Sequence, residues 1–91
     1  MDDLIAATVG RRIRRRRRLL GLTQQGLGQA CGVTFQQVQK YETATCRVSA
    51  PVLWKLARAL DVDVGYFFLG LEEEIAAEPP AKREPTLRLA V

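Results

Sequence analysis

Residues able to hydrogen-bond along the edge of a flat heterocycle are concentrated between positions 34 and 40. Gln36, Gln37 and Gln39 each carry an amide, with donor and acceptor side by side, and Lys40 adds an ammonium. Such an amide pairs bidentately with adenine N6 and N7, and a lysine donates to guanine O6 and N7. Phe35 beside them offers an apolar edge to a thymine methyl. Upstream, Thr23 and Gln24 stand where backbone N–H groups at a helix start would face phosphate oxygens. Catalysis has little to work with. There is no histidine, no Cys-x-x-Cys and no phosphate loop, so acid–base chemistry on imidazole and most zinc ligand sets are excluded and no enzyme is expected. Neither a cofactor nor a small-molecule ligand is called for.

Charge points the same way. Residues 1–70 carry 11 basic and 5 acidic side chains, whereas residues 71–91 carry 3 and 5. A basic body favours a polyanionic partner through steering and counterion release, although composition alone does not separate DNA, RNA and anionic lipid. Seven arginines stand between positions 11 and 18, interrupted only by Ile13. At about 100° per residue they cannot all face one phosphate backbone, so two or three are expected to touch it and the rest to act as a field. Arg16 falls on the apolar side, where it must snorkel or meet a carboxylate. An arginine-rich helix also binds RNA, which stays open as an alternative.

These residues need helices to position them. Asp2 and Asp3 suit a helix start, and Ile5, Val9, Ile13 and Leu20 give an apolar stripe over residues 3–20, closed by Gly21. Thr23 caps a short helix to Ala30, with Leu27 and Ala30 pointing inward and Gly26 and Gly28 weakening its middle. Gly32 supplies a tight turn. Thr34 and Gln37 then read as a capping box for a third helix, on which Phe35, Val38 and Tyr41 share one side. Ser49 caps a fourth helix with Pro51 in its first turn and Val52, Leu53, Leu56, Ala57 and Leu60 inward. Asp63 caps a last short helix holding Tyr66, Phe67 and Leu69. After Gly70 the acidic and proline-rich residues 71–91 read as a polar tail, partly flexible or docked in a dimer, with residues 86–91 able to add a strand. The expectation is an all-α fold: one domain over 1–70 and a tail.

No run approaches the roughly 20 apolar residues of a membrane span, and no secretory signal opens the chain, so the expected place is the cytoplasm, on the nucleoid. That compartment favours two unpaired thiols at Cys31 and Cys46 over a disulfide.

The stretch GLTQQGLGQACGVTFQQVQKYE, followed by SAPVLWKLARALDV, resembles the Cro and phage-repressor type of helix-turn-helix, the XRE family, over roughly residues 9–70. The resemblance implies a five-helix bundle of lambda-repressor type that binds operator DNA as a homodimer, with the helix at 34–43 in the major groove. Carried over by position, Thr34, Phe35, Gln36 and Lys40 face bases, while Arg17, Gln24, Gln25 and Arg47 hold phosphates. Arg17 also pairs with Glu42. Four positions depart from the usual pattern. Gly28 replaces Ala, Ala44 stands where Gly is common and a positive φ is strained, Cys46 replaces a polar loop residue, and Phe35 stands where a polar, hydrogen-bonding reader is often found. The function implied is a DNA-binding transcriptional regulator, most simply a repressor. The alternative is a protein-interaction module, such as an antitoxin or co-regulator, docking through the apolar run Tyr66–Leu71.

Overall fold

The computed structural model describes residues 2–73 of the 91, and the expected tail strand at 86–91 lies outside them. Among the described residues four α-helices and one 3₁₀ helix follow one another, α1 Asp2–Leu19, α2 Gln24–Cys31, α3 Phe35–Glu42, α4 Ala50–Ala59 and the 3₁₀ helix Val64–Phe68, and residues 71–73 are helical as well. The described residues contain no strand.

The helix starts are built as the sequence suggests. Thr23, Thr34 and Ser49 are extended, and their hydroxyls accept from the backbone N–H of Gly26, Gln37 and Val52. The capping box at Thr34 closes on one side only, because the Gln37 amide reaches forward to the Tyr41 hydroxyl (3.5 Å) instead of back. Asp63 precedes the 3₁₀ helix without a side-chain cap. That segment is held by tertiary contacts instead, with Phe67 fully buried and Arg12 laid over the Tyr66 ring at 5.7 Å.

All four α-helices end alike. The N–H of the residue just after the left-handed one returns to a carbonyl five positions back: Leu22 to Arg17, Val33 to Gly28, Thr45 to Lys40 and Val62 to Ala57. The motif needs a left-handed residue. Glycine supplies it at Gly21 and Gly32, but Ala44 (φ 60°) and Asp61 (φ 55°) adopt it at a steric cost.

The core comprises Val9, Ile13, Leu27, Cys31, Val38, Tyr41, Leu56, Ala57, Leu60 and Phe67. Burying a large aliphatic or Phe side chain contributes about 1.5–3 kcal/mol, so these contacts from five elements fix the relative placement of α2 and α3. Two expected core residues lie outside. Leu20 is 43% exposed because α1 has ended and the chain turns at Gly21. Ala30 is exposed because the buried arc of α2 centres on Leu27, Gly28 and Cys31, about a quarter turn away. Cys31 and Cys46 are both free thiols. Burial pushes the Cys31 thiol above its ordinary range, partly offset by the Lys55 ammonium.

Candidate nucleic-acid interface

Helix α3 divides cleanly into two faces. Val38, Tyr41 and Glu42 are buried, whereas Thr34, Phe35, Gln36, Gln39 and Lys40 are exposed. Phe35 shares helical spacing with Val38 and Tyr41, yet it is 46% exposed, because it opens the helix beyond the reach of the core. The amide and ammonium groups that can pair with base edges therefore share one open surface with an aromatic ring.

Two glycines set how close the neighbouring elements approach α3. A Cβ on Gly28 would lie 2.6 Å from the Val33 carbonyl oxygen and 3.3 Å from that of Thr34, so α2 and the start of α3 pack with no side chain between them. The turn is thereby short and rigid. A Cβ on Gly10 would strike the Tyr41 carbonyl and stand 2.8 Å from that of Glu42, so α1 lies directly on the C-terminal end of α3. The signal of Gly10 in the sequence is slight, a glycine inside a long helical stripe, which otherwise only weakens a helix.

The expected Arg17–Glu42 pair is present. Arg17 Nε donates to Glu42 Oε2 at 2.6 Å and Nη2 to Oε1 at 2.9 Å, with the two side chains 11% and 2% exposed. The Glu42 bond holds the Arg17 guanidinium charged beyond even its usual range, against the opposing effect of burial. Arg17 Nη1 also donates to the Leu22 carbonyl (2.9 Å), and Gln24 Nε2 donates to Glu42 Oε1 (3.2 Å). Glu42 thus ties the end of α1, the start of α2 and the end of α3 into one fork. This joins Gln24 to the ion pair, a contact its position in the sequence gave no means to foresee. An amide nitrogen has two hydrogens, so one remains after the Glu42 bond. Gln25 and Arg47 are exposed, the first at the start of α2 and the second in the loop between α3 and α4.

The arginine run is sorted by the fold. Among the described residues Arg16 meets no carboxylate. Its Nε donates to the Leu60 carbonyl (2.8 Å) and Nη2 to that of Asp61 (3.5 Å), which closes the C-terminus of α4. Arg12 donates to the Leu69 carbonyl (2.9 Å). Arg12 and Arg16 therefore clamp the C-terminal segment, Arg17 faces α3, and Arg11, Arg14, Arg15 and Arg18 are exposed. Among the described residues no cluster of His, Cys, Asp or Glu could hold a metal, and no helix is long and apolar enough to cross a membrane.

A short helix joined by a glycine turn to a second helix with an open polar face, both braced by a first helix, is the geometry of a helix-turn-helix. Residues 13–67 match the family model described as helix-turn-helix, and the chain belongs to that family. It is 52% identical over 66 residues to the HTH-type transcriptional regulator y4aM of Sinorhizobium fredii, which covers 72% of this chain and 46% of that protein. The chain thus spans about half the length of the curated relatives it matches. Among solved structures it resembles the P22 c2 repressor in complex with a synthetic operator. The TM-score is 0.65 at 31% identity, covering 68% of this chain and 94% of that one. It also resembles the restriction-modification controller protein C.AhdI of Aeromonas hydrophila. Here the TM-score is 0.68 at 32% identity, covering 75% of this chain and 100% of the other. The fold is accordingly the all-α, lambda-repressor-like bundle that the resemblance implied.

Proposed function

We propose that this protein is a sequence-specific, double-stranded-DNA-binding transcriptional regulator, a repressor that occupies a palindromic operator as a homodimer. The observation that carries this reading is the open face of α3, which aligns Phe35, Gln36 and Lys40 while Glu42, at the end of the same helix, is locked to Arg17 and Gln24. Binding by the P22 c2 repressor to its operator supports the same use of the fold here.

In this reading α3 enters the major groove. Thr34, Phe35, Gln36 and Lys40 face bases, Gln36 pairing with adenine and Phe35 meeting a thymine methyl. The N-terminus of α2 approaches the backbone, where Gln24 offers its second amide hydrogen and Gln25 its side chain to phosphate. Arg47 contacts phosphate from the loop after α3. Arg17 contributes its charge to the same backbone and holds Gln24 in place through Glu42. Trp54, Val64, Phe68 and Leu69 are exposed on α4 and the 3₁₀ segment and offer apolar surface to a twin. A dimer would present two copies of α3 about one helical turn apart.

Selection from random duplex DNA at near-physiological salt tests this directly. A two-fold symmetric enriched motif is expected. Gln36→Ala should then lose about 1–3 kcal/mol on that motif and little on random duplex. No enrichment, with binding that vanishes as salt rises, would overturn the reading; equal losses on both duplexes would remove Gln36 as a reader.

A further inference from the structure

We propose that the outward face of α1 is a phosphate track, formed by Arg14, Arg15 and Arg18 with Arg11 at its far end, that follows the duplex beyond the segment read by α3. The proposal rests on the DNA-binding reading above and assigns it a second, separate contact line.

The four residues fall at i, i+3, i+4 and i+7, the spacing of a single helix face. All four are exposed, while the other three arginines of the run turn inward to the Leu60, Asp61 and Leu69 carbonyls and to Glu42. Among the described residues no hydrogen bond or ion pair engages the Arg14, Arg15 or Arg18 side chains. Like charges at i and i+4, as in Arg11 with Arg15 and Arg14 with Arg18, disfavour an isolated helix. The stripe is therefore not explained by the stability of α1. It suits a partner that neutralises it.

Two features favour a nucleic-acid backbone over an acidic protein. First, all four positions of the stripe are arginine and the large exposed apolar residue beside them is Leu19, at i+4 from Arg15 (67% exposed), whereas protein interfaces rely on a cluster of apolar and aromatic anchors in a core poor in charge. Second, the stripe is continuous with the proposed phosphate site at α2. The Gly21 N–H donates to the Arg18 carbonyl (3.0 Å) and the Leu22 N–H to that of Arg17 (3.0 Å), which fixes the Arg18 end of α1 against the Thr23 cap. From Arg18 to Arg11 the helix rises about 10 Å. A duplex strand carries one charge per about 3.4 Å of axis, so the stripe spans about three phosphates.

The test is the salt dependence of binding by the full chain and by the triple variant Arg14→Gln, Arg15→Gln, Arg18→Gln. Glutamine keeps helix propensity at these exposed sites, and an unchanged melting curve verifies the fold. Kd is measured between 50 and 200 mM salt on an enriched duplex, on random duplex of equal length and on an RNA hairpin. Each lost phosphate contact lowers the slope of log K against log salt by about 0.9, so the triple variant should lose about 2.7. Over that salt range the wild type then loses about 40-fold more affinity than the variant, equally on both duplexes. An unchanged slope on duplex, with sequence preference retained, overturns the track and leaves the regulator reading intact. A slope change on RNA alone overturns it in favour of an RNA partner. A reduced slope on duplex in a protein without sequence preference supports the track and defeats the operator reading. No duplex binding by the wild type defeats both.

Discussion

Removing the Glu42 carboxylate should be the most damaging conservative change on the interface, through the fold rather than through base contacts. Glu42→Ala deletes the acceptor of three donors, Arg17 Nε at 2.6 Å, Arg17 Nη2 at 2.9 Å and Gln24 Nε2 at 3.2 Å. It leaves the Arg17 guanidinium in a site where its side chain is 11% exposed, with the Leu22 carbonyl still bound. Stranding one partner of a buried pair costs about 3–5 kcal/mol. The remaining Leu22 bond and the slight exposure place this case near the lower end, at about 3 kcal/mol. For a domain of this size each kcal/mol moves Tm by about 4–8 °C, so Tm should fall by about 12–24 °C in thermal melts followed by circular dichroism. Arg17→Met should cost a similar amount. The double variant Arg17→Met, Glu42→Leu should regain most of the loss, since apolar replacement of a buried pair is often neutral. A Glu42→Ala Tm within about 2 °C of wild type, or a double variant as unstable as the two losses added together, would refute the reasoning.

Two smaller changes and one thiol-labelling experiment probe the surroundings of α3. Gly10→Ala places a methyl group against the Tyr41 and Glu42 carbonyls, which are backbone and have little freedom to yield, so a loss of about 1–3 kcal/mol is expected in urea melts. Ala44→Gly removes the cost of a left-handed alanine at φ 60°. That cost is about 1–2 kcal/mol, less about 0.4–1 kcal/mol for the looser unfolded chain, so a net gain near 0.5–1 kcal/mol should raise Tm by a few degrees. Cys46, which is half-buried, should react with a thiol reagent at neutral pH well before Cys31, which burial keeps protonated. Folding holds that proton, so the associated stability is present below the ordinary thiol range and is lost as pH climbs through the raised value; equal reaction rates of the two thiols would contradict it.

The apolar stripe of Ile5, Val9 and Ile13, the caps at Thr23, Thr34 and Ser49 and the glycine of the turn were all legible in the sequence. They depend on local periodicity and on hydrogen bonds that span three residues, which need no knowledge of the rest of the chain. The Arg17–Glu42 pair was legible only through family resemblance, since 25 positions separate its members. Other features required tertiary structure. Which arginines turn inward depends on where the carbonyls of Leu60, Asp61 and Leu69 come to lie, 44 to 57 residues away along the chain. A helical wheel assigns each arginine a direction but not what awaits it there. The exposure of Leu20 and Ala30 has the same origin, because an apolar side chain is buried only where another element arrives to cover it. Gly10 and Gly28 complete the contrast: in sequence they are weak points of helices, and only the backbone packed against them shows why a side chain has no room.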